Sequence, residues 1–269
     1  MPTPELNATL VKREDLNEYL MVFKARFSDG PVPEFKPGQF AMIGLPPDPN
    51  RVILGKDGKP KKQPALVRRA YSIASAGNNA DHLEFFVILV EDGELTPVMW
   101  KLQENSPLWI DKKIRGDFTL DDVPEGKDLL FIATGTGLAP FLSMLRTFGP
   151  HRWRRVAIIH GVRVSPDLGY RTMLEQFAKE NPWFRYIPSV TREPEDSPYD
   201  GPRGRVPLLL TPDRFESLAG FPLDPNDAHV FLCGNPAMIT DVEADLVKRG
   251  FSPHSRSKPD GNIHYERYW

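Results

Sequence analysis

The chain has 269 residues, 40% of them hydrophobic and 26% charged, with 34 basic against 36 acidic side chains. That length and near-neutral balance fit two globular domains and give no electrostatic case for binding nucleic acid. A single cysteine, Cys233, excludes an intramolecular disulfide framework and an iron–sulfur cluster held by four thiolates of this chain. No apolar run approaches the roughly 18 residues of a membrane span. Met1-Pro2-Thr3-Pro4-Glu5 lacks a basic and apolar leader pattern, so the expectation is a cytoplasmic protein without membrane insertion.

Residues 7–120 read as short strands. Thr9-Leu10-Val11, Leu20–Ala25, Phe40–Leu45, Tyr71–Ala74 and Leu83–Val90 are rich in β-formers. Turn chemistry separates them at Ser28-Asp29-Gly30-Pro31, Lys36-Pro37-Gly38, Ala76-Gly77-Asn78-Asn79 and Glu91-Asp92-Gly93. This spacing predicts an antiparallel barrel. Thr96–Leu102 reads as a helix with Thr96 as N-cap and Pro97 in its first turn. The stretch 51–68 interrupts the pattern. Its Lys56, Lys59, Lys61 and Lys62 read either as an exposed loop or as a basic docking surface. Arg69-Ala70-Tyr71-Ser72 places a cation, an aromatic ring and a hydroxyl at a strand start, with Arg69 and Tyr71 on one face and Ser72 on the other.

From Asp128 strands alternate with helices: strand Leu129–Ala133, helix Ala139–Phe148, strand Val156–Val162, helix Thr172–Glu180, strand Phe184–Val190. Helical turns follow at Val206–Leu210 and Phe215–Leu218, then strand Ala228–Gly234 and a helix from Pro236 to about Arg249, closed by Gly250. Such alternation predicts a doubly wound parallel sheet, whose ligands bind at the C-terminal ends of its strands. Gly135–Gly137, Gly161–Arg163, Thr191–Arg192 and Cys233–Asn235 fall at those ends. Thr134-Gly135-Thr136-Gly137 joins a strand to a helix, a geometry that suits a pyrophosphate. It differs from the usual three-glycine fingerprint in having Pro140 at the third place. Taken alone it is also compatible with a simple tight turn.

The order of barrel, Gly-Thr-Gly turn and parallel sheet, with four motifs at the expected places, resembles the ferredoxin–NADP reductase family, its bacterial ferredoxin (flavodoxin) branch above all. Arg69–Ser72 resembles the flavin motif of that family and Gly93-Glu94-Leu95-Thr96 its flavin-pyrophosphate segment. Ala133–Pro140 resembles the nicotinamide-nucleotide turn, in which proline is usual, and Cys233-Gly234-Asn235-Pro236 the nicotinamide-side motif. The resemblance implies an FAD-binding barrel over 1–124 and an NADP-binding α/β domain over 125–269, with the C-terminal tail packed on the flavin. It implies an oxidoreductase that passes hydride between NADP(H) and FAD and single electrons between FAD and ferredoxin or flavodoxin. Two alternatives share the fold: a flavin reductase or oxygenase reductase component, and a non-enzymatic flavin-binding subunit.

By this resemblance, Arg69 would hold phosphate, Ala70 and Tyr71 would pack along the flavin, and Ser72 would lie near its N5 atom. The backbone of Phe85, Phe86 and Val87 would face adenine, although strand alternation leaves one phenylalanine to the core. Glu94, Leu95 and Thr96 would meet the pyrophosphate. Gly135, Thr136 and Gly137 would receive the nicotinamide nucleotide, with Thr136 facing the cleft shared with the flavin. Arg163, Arg192 and Arg205 would select the 2′-phosphate of NADP. Cys233 reads from composition as a small buried hydrophobe and from the resemblance as a positioning group beside nicotinamide. In the tail, Glu266 would relay a proton through Ser72, Tyr268 would cover the isoalloxazine and Trp269 would stack on adenine. For an acidic carrier, the lysines of 56–62 and the cluster Arg152, Arg154, Arg155 are the candidate docking residues. No metal site is expected.

Overall fold

The computed structural model describes residues 5–52, 58–60, 63–78, 81–148 and 152–268. Six antiparallel strands come first: β1 (Ala8–Asn17), β2 (Leu20–Phe27), β3 (Phe40–Leu45), β4 (Val67–Ser72) and β5 (Leu83–Ile88), then, after the four-residue helix α1 (Thr96–Met99), β6 (Pro107–Ile110). Their order is β4-β3-β6-β1-β2-β5. A bridge between Ile73 and Phe85 joins the two edges and closes the expected barrel. Phe23, Ile43, Phe85 and Ile110 fill its centre.

Two details of this half differ from the sequence expectation. β6 lies in a stretch read as no strand; it opens on Pro107, whose missing N–H is tolerated at a strand start. The helix at Thr96 spans one turn, and Leu95 rather than Thr96 precedes it. The Thr96 hydroxyl accepts from the Val90 N–H at 2.9 Å and donates to the Val90 carbonyl at 3.0 Å. It therefore staples the Val90–Gly93 turn instead of capping the helix.

The second half contains β7 (Asp128–Thr134), α2 (Ala139–Thr147), β8 (Arg155–Val162), α3 (Arg171–Glu180), β9 (Phe184–Val190), α4 (Val206–Leu209), α5 (Pro212–Ala219), β10 (Ala228–Gly234), α6 (Pro236–Lys248) and β11 (Ile263–Arg267). The five strands run parallel in the order β11-β10-β7-β8-β9. Side chains alternate between two cores. Leu129, Phe131 and Ala133 face α2, whereas Leu130 and Ile132 face the α4–α6 side. β11, in sequence an aromatic-rich tail, pairs in register with β10, placing Glu266 opposite Cys233. Its His264 ring stacks on Phe231 at 4.2 Å and on His254 at 4.6 Å, and shares a hydrogen bond with His229 at 3.2 Å.

The core on the α2 side is shared with the barrel. Leu20, Val22, Phe86, Phe118 and Leu120 pack into the same cluster as Phe131, Phe141 and Phe231. Around it runs a polar clamp. Glu84 of β5 binds Arg146 of α2 at 2.6 Å and accepts from the Tyr170 hydroxyl at 2.8 Å. Phe86 meets Tyr170 edge-on with centroids 5.4 Å apart. Tyr170 holds this place at φ +62°, a left-handed backbone uncommon for a bulky residue. Burial would raise the pKa of Glu84, but the Arg146 charge and the hydrogen bonds to it keep the carboxyl below its ordinary value.

The cluster Arg152, Arg154, Arg155 requires a correction as a docking surface. It sits at the starts of β7 and β8, the sheet edge opposite the ligand end. Arg154 and Arg155 both grip the Asp128 carboxylate, at 2.7 and 2.5 Å, and Arg152 lies over Trp153 at 4.6 Å. These are structural contacts. Lys56, Lys61 and Lys62 lie outside the described residues. Among the described residues no helix is long and apolar enough to cross a membrane, and no cluster of three His, Cys, Asp or Glu could hold a metal.

Candidate active site between the two sheets

Four side chains from three distant segments meet where the barrel faces the parallel sheet. Ser72 ends β4, Cys233 lies near the end of β10, and Glu266 and Tyr268 come from β11 and the residue after it. The Ser72 hydroxyl donates to Glu266 Oε2 at 2.8 Å, and the Tyr268 hydroxyl donates to Ser72 Oγ at 2.9 Å. Cys233 Sγ lies 3.9 Å from the same carboxylate oxygen. Burial pushes the Glu266 carboxyl above its ordinary pKa, against the hydrogen bonds from Ser72 and Cys233 that lower it. Burial, and then the Glu266 charge, pushes the Cys233 thiol well up, so it remains a neutral thiol. The group is a hydrogen-bonded chain of four side chains that can each carry a proton, with the carboxyl of Glu266 raised by burial.

The Gly-Thr-Gly turn abuts this network. Gly135–Leu138 form a 3₁₀ turn that leads into α2. The two glycines serve different ends. Gly135 has φ +53° and no atom within 4 Å of where a Cβ would stand, so it opens onto space. A Cβ on Gly137 would lie 2.4 Å from the Cys233 carbonyl oxygen, so Gly137 allows the turn to press against β10. Gly234, at φ +124°, would place a Cβ 2.3 Å from Thr134 Oγ1. That Thr134 hydroxyl accepts from the Asn235 N–H at 2.8 Å, and the Asn235 side chain caps α6. The two motifs read separately from the sequence are thus one interlocked unit.

A cleft of about 810 Å³ extends from this point along the C-terminal ends of the strands. Gly135, Thr136 and Tyr268 line one part of it, and Arg163, Arg192 and Arg205 another. Glu193, the acidic neighbour of Arg192 and a side chain able to accept from a ribose hydroxyl, is engaged within the protein. Its carboxylate accepts from the Ser165 N–H at 2.5 Å, from Ser165 Oγ at 2.7 Å and from Ser197 Oγ.

On the barrel side Arg69, half-exposed, binds Glu94 at 2.8 Å, so the two motifs read as flavin segments are in contact. Tyr71 is half-buried two residues along, and Ser72 points inward to the network. Ala70 is exposed between them and Leu95 is buried in the barrel core. Phe85 faces the barrel core and Phe86 the shared core, so both side chains are packed behind the cleft, as is Val87. The segment that reaches the cleft is the next one, Ile88–Asp92. Trp269 lies outside the described residues.

The profile of the oxidoreductase NAD-binding domain family matches residues 131–244. A flavodoxin/ferredoxin–NADP reductase of Buchnera aphidicola is 31% identical, with 99% of both chains covered. The chain belongs to the ferredoxin (flavodoxin)–NADP reductase family. A ferredoxin–NADP reductase of Pseudomonas aeruginosa is 34% identical over 93% of this chain and 92% of its own. A crystal structure of a ferredoxin NADP+ reductase from Neisseria gonorrhoeae with bound FAD and NADP superposes with a TM-score of 0.81, at 28% identity and 98% coverage of both chains.

Other residues of this family member shape the site without having been singled out in its sequence. Arg51 donates to the carbonyls of Gly93 and Asp92, at 2.5 and 2.6 Å, and so fixes the turn before Glu94. Tyr19 donates to Asp167 at 2.5 Å across the cleft mouth, where Asn17 also reaches Asp167 at 3.3 Å. His160, within the apolar run of β8, lies wholly buried beneath the Gly-Thr-Gly turn. Its signal in the sequence was a polar residue in a strand with no exposed face, which must find partners.

Proposed function

We propose that this chain is an FAD-dependent NADP(H) oxidoreductase that exchanges electrons with a small one-electron carrier, ferredoxin or flavodoxin. The observation that carries the proposal is the Ser72–Glu266–Cys233–Tyr268 network, built from both sheets beside a cleft with three arginines. The barrel-side groups suit a flavin dinucleotide. Arg69 is an exposed cation able to leave Glu94 for a phosphate, with Tyr71 and Ser72 on the same strand. Bound FAD would supply the coupling of two-electron to one-electron redox chemistry.

The chain's own residues have the following parts. Arg163, Arg192 and Arg205 favour a nucleotide carrying a 2′-phosphate, and the engagement of Glu193 by two serines removes the acid that would favour an unphosphorylated ribose. Gly135 admits the nucleotide backbone to the turn. Cys233, neutral and fully buried, shapes the floor on which nicotinamide lies and performs no nucleophilic attack. Glu266 Oε2 accepts from the Ser72 hydroxyl when ionised; once protonated it donates back to Ser72 Oγ, and the Ser72 hydrogen is freed to move on toward the flavin. Tyr268 covers the same hydroxyl and must turn aside for nicotinamide to reach the flavin, a gate of side-chain size.

Anaerobic stopped-flow mixing of purified protein with NADPH tests this. The expected result is bleaching of FAD absorbance, faster with NADPH than with NADH, followed by reduction of added ferredoxin or flavodoxin. A protein that bleaches but reduces neither carrier would instead be a flavin or oxygenase reductase component. One that does not bleach at all would be no oxidoreductase of this type.

A further inference from the structure

His160 occupies a place in β8 that strand alternation assigns to the shared core. Val156 and Ile158 precede it on that face, and Ala133 of β7 and Pro188 of β9 flank it in register. A fully buried imidazole there requires partners for both nitrogens. Nε2 lies 3.0 Å from the carbonyl oxygen of Gly135, and Nδ1 lies 3.1 Å from the Tyr186 hydroxyl. A carbonyl only accepts, so Nε2 carries the hydrogen; in the neutral ring Nδ1 then accepts from Tyr186. Burial supports the neutral form by lowering the His160 pKa to about 4.

The Gly135 carbonyl is thus drawn inward, under the turn. The peptide that joins Gly135 to Thr136 is planar and trans, so the Thr136 N–H points in the direction opposite to that carbonyl. Away from His160 lies the open side of the turn, where Gly135 and Thr136 line the cleft. We propose that His160 is a positioning residue for the dinucleotide: from beneath the turn it fixes the Gly135–Thr136 peptide plane and aims the Thr136 N–H at the bound nucleotide. Tyr186 acts one step further back, by holding the imidazole in the tautomer that can donate. The proposal rests on reading the cleft as the NADP(H) site. His160 itself touches no ligand; it adds a side-chain donor to a carbonyl of the 3₁₀ turn and so sets the orientation of the backbone donor across the same peptide.

The test uses the FAD-loaded protein with His160→Leu, His160→Gln and Tyr186→Phe. Leucine keeps the volume and removes the donor, whereas glutamine returns an N–H near the Nε2 position. Calorimetric titration with NADP+ should show binding weakened about tenfold or more by His160→Leu, the loss of roughly one buried hydrogen bond. His160→Gln should recover most of that affinity, and FAD retention should be unchanged in all three. Nitrogen-15 NMR of the unsubstituted protein should show Nε2–H and no change of form between pH 5.5 and 8. Wild-type affinity in a folded His160→Leu protein would overturn the proposal, as would a glutamine variant no better than the leucine one. If His160→Leu does not fold, an Nδ1–H or charged imidazole in the NMR spectrum still overturns it. Absence of NADP+ binding by the unsubstituted protein would overturn the reading of the cleft, and this proposal with it.

Discussion

Gly137→Ala adds one methyl group where the turn touches β10. The new Cβ would stand 2.4 Å from the Cys233 carbonyl oxygen, whereas an ordinary contact begins at 3.4 Å. Both sides of the contact are backbone, so no side chain can swing away, and the turn must retreat by about 1 Å. The retreat would cost about 1–3 kcal/mol of stability as overpacking. Its effect on rate should be larger in proportion. A displacement of about 1 Å between groups that must meet at near-attack distance lowers a rate by about 10²-fold. Stopped-flow bleaching of FAD by NADPH reads this directly, with urea unfolding as the measure of stability. Gly135→Ala is the control: it meets no atom, and it carries only the left-handed backbone strain of about 1–2 kcal/mol. The reasoning fails if Gly137→Ala reduces FAD within about threefold of the wild-type rate, or if Gly135→Ala is the slower of the two.

Arg146→Ala should lower stability by about 3 kcal/mol at pH 7, because it leaves the buried Glu84 carboxylate without its main counter-charge. The loss should shrink in acid, because without Arg146 the buried Glu84 of the variant can relieve its unpaired charge by taking up a proton; urea midpoints at pH 7 and 4 compare the two. Stability of the unsubstituted chain should itself fall as pH drops below about 6.5, since unfolded histidines take up protons there. In the folded state His160, His229 and His264 stay neutral down to about 4, 4 and 3. The unfolded state therefore binds more protons throughout that window, and His264→Phe should flatten the slope. Glu266→Gln should remove from the pH–rate profile of FAD reduction an inflection displaced above the ordinary carboxylate range; an unchanged profile would remove Glu266 from the relay. Arg192→Ala with Arg205→Ala should weaken NADPH binding by about 10–100-fold and leave NADH nearly unaffected, at about 1.5–3 kcal/mol for a charge-assisted bond. Equal losses for the two nucleotides would contradict their selectivity.

Much of the architecture was legible because it rests on local chemistry. The turn residues between barrel strands, and the continuous apolar runs of β7, β8 and β10, specify those elements without tertiary help. β6 and β11 were not legible for a shared reason. Pro107 opens a strand of four residues, and β11 buries only Ile263 and His264 among polar and aromatic neighbours, so neither shows a period long enough to read. Ser72, Cys233, Glu266 and Tyr268 could be named from motifs, but their meeting depends on the register between β10 and β11 and on a contact spanning 194 residues. His160, Tyr170 and Asp167 act through partners on other strands, or through a backbone angle, and neither is written in a local pattern. Arg152, Arg154 and Arg155 show the opposite error: a basic run in sequence becomes three anchored cations once Asp128 and Trp153 lie beneath them.

The core that runs from Phe118 and Phe86 into Phe131, Phe141 and Phe231 belongs to neither half alone. Cutting the chain between the two sheets would expose aromatic surface on both pieces and strand Glu84 without Arg146. The halves are therefore not interchangeable cassettes. A chimera with a related reductase would inherit a functional geometry only if Phe86, Glu84, Arg146 and Tyr170 travelled together, and heat should melt the protein in one cooperative event. A substitution at the seam would therefore be felt by both sheets at once, whereas one at the arginine-lined rim of the cleft would not.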